Sequence, residues 1–243
     1  MNNEDRPYID WFVFTKKTAL MQRLSDYIRF GHSWYVTGQI SIEKAGYFAG
    51  KLDSIYRVGQ TRLDAFRQRK EGKACFKLIM FYSNNDQENV RWWLLRSPGE
   101  APTDATKEKW TSVLEHRLQL DGYELVRLPR QGKSSSSWTW RYQAMRIQAI
   151  RDSVLMAIRS KDDLALQQLI YSSWRTPGFS GAREQVKKLK ALIISEWKRT
   201  RHSREGMPHI PSRIGYVQRL PDIGLKLSKI RTGERVSRRV SKT

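Results

Sequence analysis

Arginine and lysine supply most of the side chains in this sequence that could do chemistry, and that chemistry is the capture of phosphate. Arg57, Arg62, Arg67, Arg69, Lys70 and Lys73 form a first cluster; between 62 and 73 only Asp64 and Glu71 oppose it. The guanidinium fork meets two phosphate oxygens at once, which a lysine ammonium does not. A solvated helix face is the plain alternative for such a run. A second cluster, Arg127, Arg130, Lys133 and Arg141, brackets four serines at 134–137. A Gly/Ser loop bordered by arginines can enter a groove or clamp a backbone, or serve as an unoccupied surface loop. The third cluster is the C-terminal tail: Lys198, Arg199, Arg201, Arg204, Arg231, Arg235, Arg238 and Arg239. From Lys198 to Thr243 there are thirteen Lys and Arg against three Asp and Glu, a net +10. Just before it, Lys187, Lys188 and Lys190 fall largely off the apolar stripe of a helix and extend the same positive track.

The whole chain has 243 residues with 45 Lys+Arg against 24 Asp+Glu, a formal charge of +21. A compact surface with that charge repels itself. A polyanion relieves the repulsion, because each phosphate neutralised releases a condensed counterion. DNA or RNA is therefore the expected partner, ahead of an anionic membrane surface or an acidic protein. Further protein subunits of a nucleoprotein complex are expected alongside it.

Other chemistries are poorly provided for. Cys75 is the lone cysteine, so no intramolecular disulfide forms and a cysteine-rich zinc site is excluded. His32, His116, His202 and His209 lack metal-ligand spacing, and no metal or cofactor is expected. The sequence contains no phosphate loop, dinucleotide-binding glycine pattern, nucleophile elbow or His-Glu-x-x-His. One catalytic set is conceivable: His32, Tyr35 and Arg29 would supply the base and cation of metal-independent RNA cleavage. A lone histidine at a helix end is more often structural. No run of 18 apolar residues occurs, and Met1–Asp5 is polar and acidic rather than a signal segment. The expected location is cytoplasmic or nucleoid-associated.

The elements that must position these cations read as α+β. Apolar residues make up 39% of the chain and include nine Trp, enough for a packed core. Residues 8–15 read as a strand, and Lys17 to Arg29 as a helix carrying Leu20, Leu24 and Ile28, closed by Gly31. Trp34 to Ile40 is extended, and Ser41 opens a helix carrying Ala45, Phe48, Leu52, Ile55 and Tyr56. Ala74–Tyr82 and Val90–Arg96 form a hairpin across Ser83-Asn-Asn-Asp86. A short helix is expected over 107–117. Tyr123–Leu128 and Trp138–Tyr142 make a second hairpin, the latter strand alternating three aromatics with Thr139 and Arg141.

Three helices follow: one through Ile147, Ile150, Val154 and Ile158, one capped by Asp162, and one through Val186, Leu189, Ile193 and Trp197. Thr176-Pro-Gly-Phe-Ser-Gly181 breaks the second from the third. The expected organisation is an α+β domain over 1–142, a helical part over 143–200 and a basic extended arm over 201–243. Trp92, Trp93, Trp138 and Trp140 suit either base stacking or the core, and alternating strand aromatics favour the core. The resulting expectation is a non-catalytic nucleic-acid-binding accessory subunit, acting through phosphate contacts inside a larger nucleoprotein assembly. Its competitors are a metal-independent endoribonuclease and a structural protein whose basic tail meets acidic partners.

Overall fold

Strand-forming aromatic runs and amphipathic helical stretches resolve into an α+β fold in the computed structural model, which describes residues 9–129, 135–202 and 204–232. In chain order the elements are β1 (Phe12–Phe14), α1 (Lys17–Arg29), β2 (Trp34–Ser41), α2 (Ile42–Tyr56), α3 (Arg62–Lys70), β3 (Phe76–Ser83) and β4 (Asp86–Arg96). They continue with a 3₁₀ turn (Thr103–Lys107), β5 (Thr111–Ser112), β6 (Gln119–Leu120), β7 (Tyr123–Pro129), β8 (Ser136–Tyr142) and α4 (Ala144–Arg159). The last are α5 (Asp163–Trp174), α6 (Ser180–Thr200), β9 (Gly224–Lys226) and α7 (Leu227–Arg231). The chain divides into two compact units. One comprises residues up to 116 together with those from 220 onward, the other residues 117–219.

The first unit is built on a six-stranded sheet in the order β5-β2-β4-β3-β1-β9. Only β1 and β3 run parallel; every other pairing is antiparallel. Trp34 opposes Arg96 and Ile40 opposes Val90, so one sheet face collects residues of like parity. On it Val13, Met80 and Val90 pack with Ala45 and Ala49 of α2 and with Leu227 and Ile230 of α7. Leu52, Tyr56, Phe76 and Leu94 continue the layer. Helix α1 packs on β1 and β3 through an apolar stripe that includes the buried Leu20, Leu24 and Ile28, and Gly31 leaves it at φ +97°.

Two expectations change here. No α-helix spans 107–117: Trp110 donates its indole N–H to the Ala105 carbonyl at 2.8 Å, and Thr111–Ser112 pairs with Trp34 and Tyr35. Tertiary pairing with the edge of β2 overrides the local helical pattern. The second change concerns the tail. Residues 220–232 are folded against this unit rather than extended. β9 pairs with β1, the Leu220 N–H donates to Gln22 Oε1 at 3.0 Å, and Arg23 pairs with Asp222. Burial of Leu227 and Ile230 holds the segment in place. Asp10 accepts from the backbone N–H and the hydroxyl of Ser228, and the hydroxyl bond leads in holding its carboxyl below the usual range.

The second unit joins a three-stranded antiparallel sheet, β6-β7-β8, to α4, α5 and α6. Its helical core contains Val154, Ile158, Leu166, Ile170, Leu189, Ile193 and Trp197. Tyr123, Glu124, Leu125 and Val126 are all buried, as a strand covered on both faces requires. The break between α5 and α6 is a packing device. The Gly181 N–H and the Ser180 hydroxyl both bond Thr139 Oγ1, and Thr176 meets the Tyr123 hydroxyl at 3.1 Å. Gly178 lets the returning chain approach: the Val217 N–H donates to its carbonyl, and a Cβ there would lie 2.1 Å from the Gly215 oxygen. Residues 204–219 thus lie along this unit; Trp174 donates to the Pro211 carbonyl and Arg183 stacks on Tyr216 at 3.5 Å.

Candidate nucleic-acid interface

The first basic cluster lies on and around a helix that its sequence announces through Thr61-Arg-Leu-Asp64. Thr61 accepts from the Asp64 N–H at 3.2 Å and donates its hydroxyl to the Asp64 carboxylate at 2.7 Å, closing the first turn. That hydroxyl bond is the leading cause of the lowered pKa of Asp64, ahead of the nearby Arg67 and Arg57. One narrow face of α3 is fixed inward. Ala65 is buried, and its carbonyl accepts from the Cys75 thiol at 3.2 Å. The helix ends where Gly72 turns at φ +74° and Glu100 closes on the Gly72 and Ala74 backbone.

Almost everything else on α3 faces solvent. Arg62, Leu63, Phe66, Arg67, Arg69 and Lys70 are all exposed, with Leu63 at 57% and Phe66 at 49%. At 3.6 residues per turn, Leu63, Phe66 and Lys70 follow one crest. Arg62 and Arg69, seven positions apart, share one flank, and Arg67 takes the other. The Lys70 ammonium lies 5.1 Å from the Phe66 ring centroid. Among the described residues no carboxylate pairs with Arg62, Arg69 or Lys70, and Arg67 reaches Asp64 only at 3.8 Å.

Arg57 sits beside the helix in the left-handed region at φ +53°, as the C-cap of α2; it is exposed and has no ion pair among the described residues. With Asp53, Gly59, Gln60, Thr61 and Asp64 it lines an open cleft of about 250 Å³. Lys73, by contrast, bonds Glu71 at 2.8 Å, which raises its pKa.

The second cluster is dispersed by its pairings. Arg141 donates to Glu124 at 2.7 Å and Arg117 at 3.1 Å, so both hold a buried carboxylate. Arg127 is exposed, while Arg130 and Lys133 lie outside the described residues. Of the third cluster, Arg199 joins Arg159 on the buried Glu196, and these two guanidinium bonds hold its carboxyl down at about 2. Arg201 is itself buried, pairing with Asp163 and Glu205 and stacking on Trp197 at 4.5 Å. Lys190 leans on the Pro211 carbonyl at 3.5 Å. Lys187, Lys188, Lys198, Arg204 and Arg231 are exposed without an ion pair among the described residues. Arg235, Arg238 and Arg239 lie outside those residues.

His32 does not face solvent. It is 3% exposed, donates from Nδ1 to the Tyr27 carbonyl at 3.2 Å, and has its buried Nε2 without a partner among the described residues. Burial drives its pKa down to about 4, so the ring is neutral near pH 7. Tyr35 spends its hydroxyl on the His116 carbonyl at 3.4 Å, while Arg29 is exposed at the end of α1. An RNA backbone has no route to this imidazole, so the three residues do not form an accessible set.

The aromatics are likewise committed. Trp93 and Trp140 are fully buried, Trp92 packs on Phe48 at 4.8 Å, and Trp138 is half-buried opposite Arg127. No family model, curated protein or solved structure matches this chain. The function must therefore be argued from its own surface.

Among the described residues no three His, Cys, Asp or Glu side chains converge as a metal site, and no helix is long and apolar enough to cross a membrane. What α3 offers is chemically narrow. Its unpaired cations flank a small apolar crest, an arrangement that receives anions along its sides and flat or methyl-bearing groups at its centre. Leu63 and Phe66 were absent from the sequence-derived site. The Thr61-x-x-Asp64 cap, with apolar residues two and five positions beyond the threonine, was the signal that could have found them.

Proposed function

We propose that this chain is a non-catalytic nucleic-acid-binding accessory subunit, working within a larger nucleoprotein complex and binding mainly through phosphate contacts. One observation carries the reading: among the described residues Arg62, Arg69 and Lys70 stand without a carboxylate partner on one short helix, with Arg57 beside them. Elsewhere Arg117, Arg141, Arg159, Arg199 and Arg201 are drawn into internal ion pairs. Leaving four cations free on neighbouring positions maintains a positive field that a phosphate backbone satisfies.

Lys187, Lys188 and Lys198 on α6, together with Arg127, provide additional exposed cations in the second unit without an ion pair among the described residues. They extend the reading without being needed for it. The test is the affinity of the whole protein for DNA and RNA across a salt series, with polyglutamate as the acidic-polymer control. A phosphate binder shows log K falling steeply and linearly with log salt, and binds nucleic acid well ahead of polyglutamate. A flat slope, or equal binding to polyglutamate, sinks the proposal in favour of an acidic protein partner.

A further inference from the structure

We infer that α3 is a groove-docking helix and that its ligand is duplex DNA in the B form, entered from the major groove. This inference rests on the nucleic-acid reading above and specifies its substrate. It starts from what a solvent-facing helix does not need. A helix that merely solubilised this corner of the sheet would carry polar residues along its crest, yet Leu63 and Phe66 stand there at 57% and 49% exposure. Cations occupy both sides: Arg62 and Arg69 on one flank, Arg67 on the other, with Lys70 closing the C-terminal end. An apolar crest between two basic flanks complements a channel with phosphates on both walls and base edges on its floor.

The dimensions agree. A helix with its side chains is about 10–12 Å across, and the B-form major groove is about 12 Å wide and 8.5 Å deep. Thymine methyl groups on its floor are the apolar partners that Leu63 and Phe66 would meet. Only Ala65 of α3 is buried, so the helix stands free over most of its circumference.

Two related ligands fit less well. Single strands are held by successive aromatic faces on which bases stack. α3 has one aromatic, and Lys70 already lies over it. Of the tryptophans in this unit, Trp93 is buried, and Trp11, Trp92 and Trp110 are half-buried against its core clusters. Duplex RNA presents a deep, narrow major groove that side chains cannot read. An anionic membrane would also accept cations beside an apolar crest, but α3 offers it only two apolar side chains, too little for stable interfacial anchoring.

The experiment uses the full chain and three probes of one sequence: a DNA duplex, the matching RNA duplex and the single DNA strand. The DNA duplex is expected to bind tightest. Methyl green, which occupies the major groove, should displace the protein, whereas a minor-groove polyamide should not. A Leu63→Ser, Phe66→Ser double variant, whose changes fall on exposed positions, should weaken DNA-duplex binding about tenfold and leave the salt slope unchanged. Folding of the variant is checked by its thermal transition. Equal or tighter binding of single strand or RNA duplex overturns the groove assignment, as does indifference to Leu63 and Phe66. Transfer of the Leu63- and Phe66-dependent binding to anionic vesicles also overturns it. If the wild-type chain binds none of the nucleic acids, the broader nucleic-acid reading falls with it, an outcome distinct from all of these.

Discussion

Arginines on α3 and arginines in the second unit have the same chemistry and opposite employment. On α3, Arg62 and Arg69 make no ion pair with a described carboxylate. In the second unit, Arg141 and Arg117 share Glu124, Arg159 and Arg199 share Glu196, and Arg201 is buried between Asp163 and Glu205. The second group neutralises carboxylates that would otherwise be buried at a cost, and joins strand to strand or helix to helix. Arg62 and Arg69 join nothing among the described residues. Formal charge is therefore a poor guide to available charge; the surplus that matters is the part left without an internal partner.

The contrast can be broken experimentally, most forcefully at α3. Replacing Arg62, Arg69 and Lys70 together with Ala should lower nucleic-acid affinity about 100-fold at physiological salt, at about 1 kcal/mol per lost contact. Its thermal midpoint should stay near that of the wild type, since none of the three packs inward. Arg201→Ala should do the reverse. Loss of the buried guanidinium, its two carboxylate partners and its stacking on Trp197 should cost about 2–3 kcal/mol in chemical denaturation. Its affinity for nucleic acid should hold wherever the protein remains folded.

Gly178→Ala tests the same unit at its closest backbone approach. A methyl 2.1 Å from the Gly215 oxygen forces the returning segment away, an expected loss of about 1–3 kcal/mol visible in the same denaturation curves. Glu196 gives a pH signature. Its carboxyl is held at about 2, against an ordinary 4.5, so its contribution is complete above pH 4.5 and is lost as pH falls toward 2. In Glu196→Gln the thermal midpoint should fall at neutral pH, and its decline between pH 4.5 and 2 should flatten. The smallest effect belongs to Lys73→Ala. That lysine is exposed and spent on Glu71, so the denaturation curve should overlay that of the wild type and affinity should change by less than about twofold.

How much of this was legible beforehand follows the range of each interaction. α1 was readable end to end, because Leu20, Leu24 and Ile28 recur at helical spacing and Gly31 supplies the left-handed exit. Both hairpins and the Asp162 cap, which accepts from the Ala165 N–H at 2.9 Å, were readable for the same local reasons. The region around Trp110 was not, because a pairing with β2 outweighed its helical pattern. Nor was the fate of residues 204–219, which settle on partners some twenty to forty positions back, or of residues 220–232, whose few apolar side chains find partners some two hundred positions away. At the candidate site the cations were legible as a cluster, but sequence alone does not say which of them will find a carboxylate. That depends on neighbours such as Glu124 and Glu196, brought in from elsewhere along the chain. The apolar crest was not legible because two exposed hydrophobic residues on a short, weakly amphipathic helix set up no periodic stripe.

The most direct test of the distinction is the slope of log affinity against log salt for three proteins: the wild type, the Arg62→Ala, Arg69→Ala, Lys70→Ala variant, and the Arg117→Ala, Arg141→Ala variant. Each phosphate contact contributes about 0.9 to the slope on duplex DNA. The α3 variant should therefore be shallower than the wild type by about 2.7, while the Arg117, Arg141 variant runs parallel to the wild type. Parallel lines for the wild type and the α3 variant, or a slope lost instead with Arg117 and Arg141, would contradict the assignment of the free cations to phosphate.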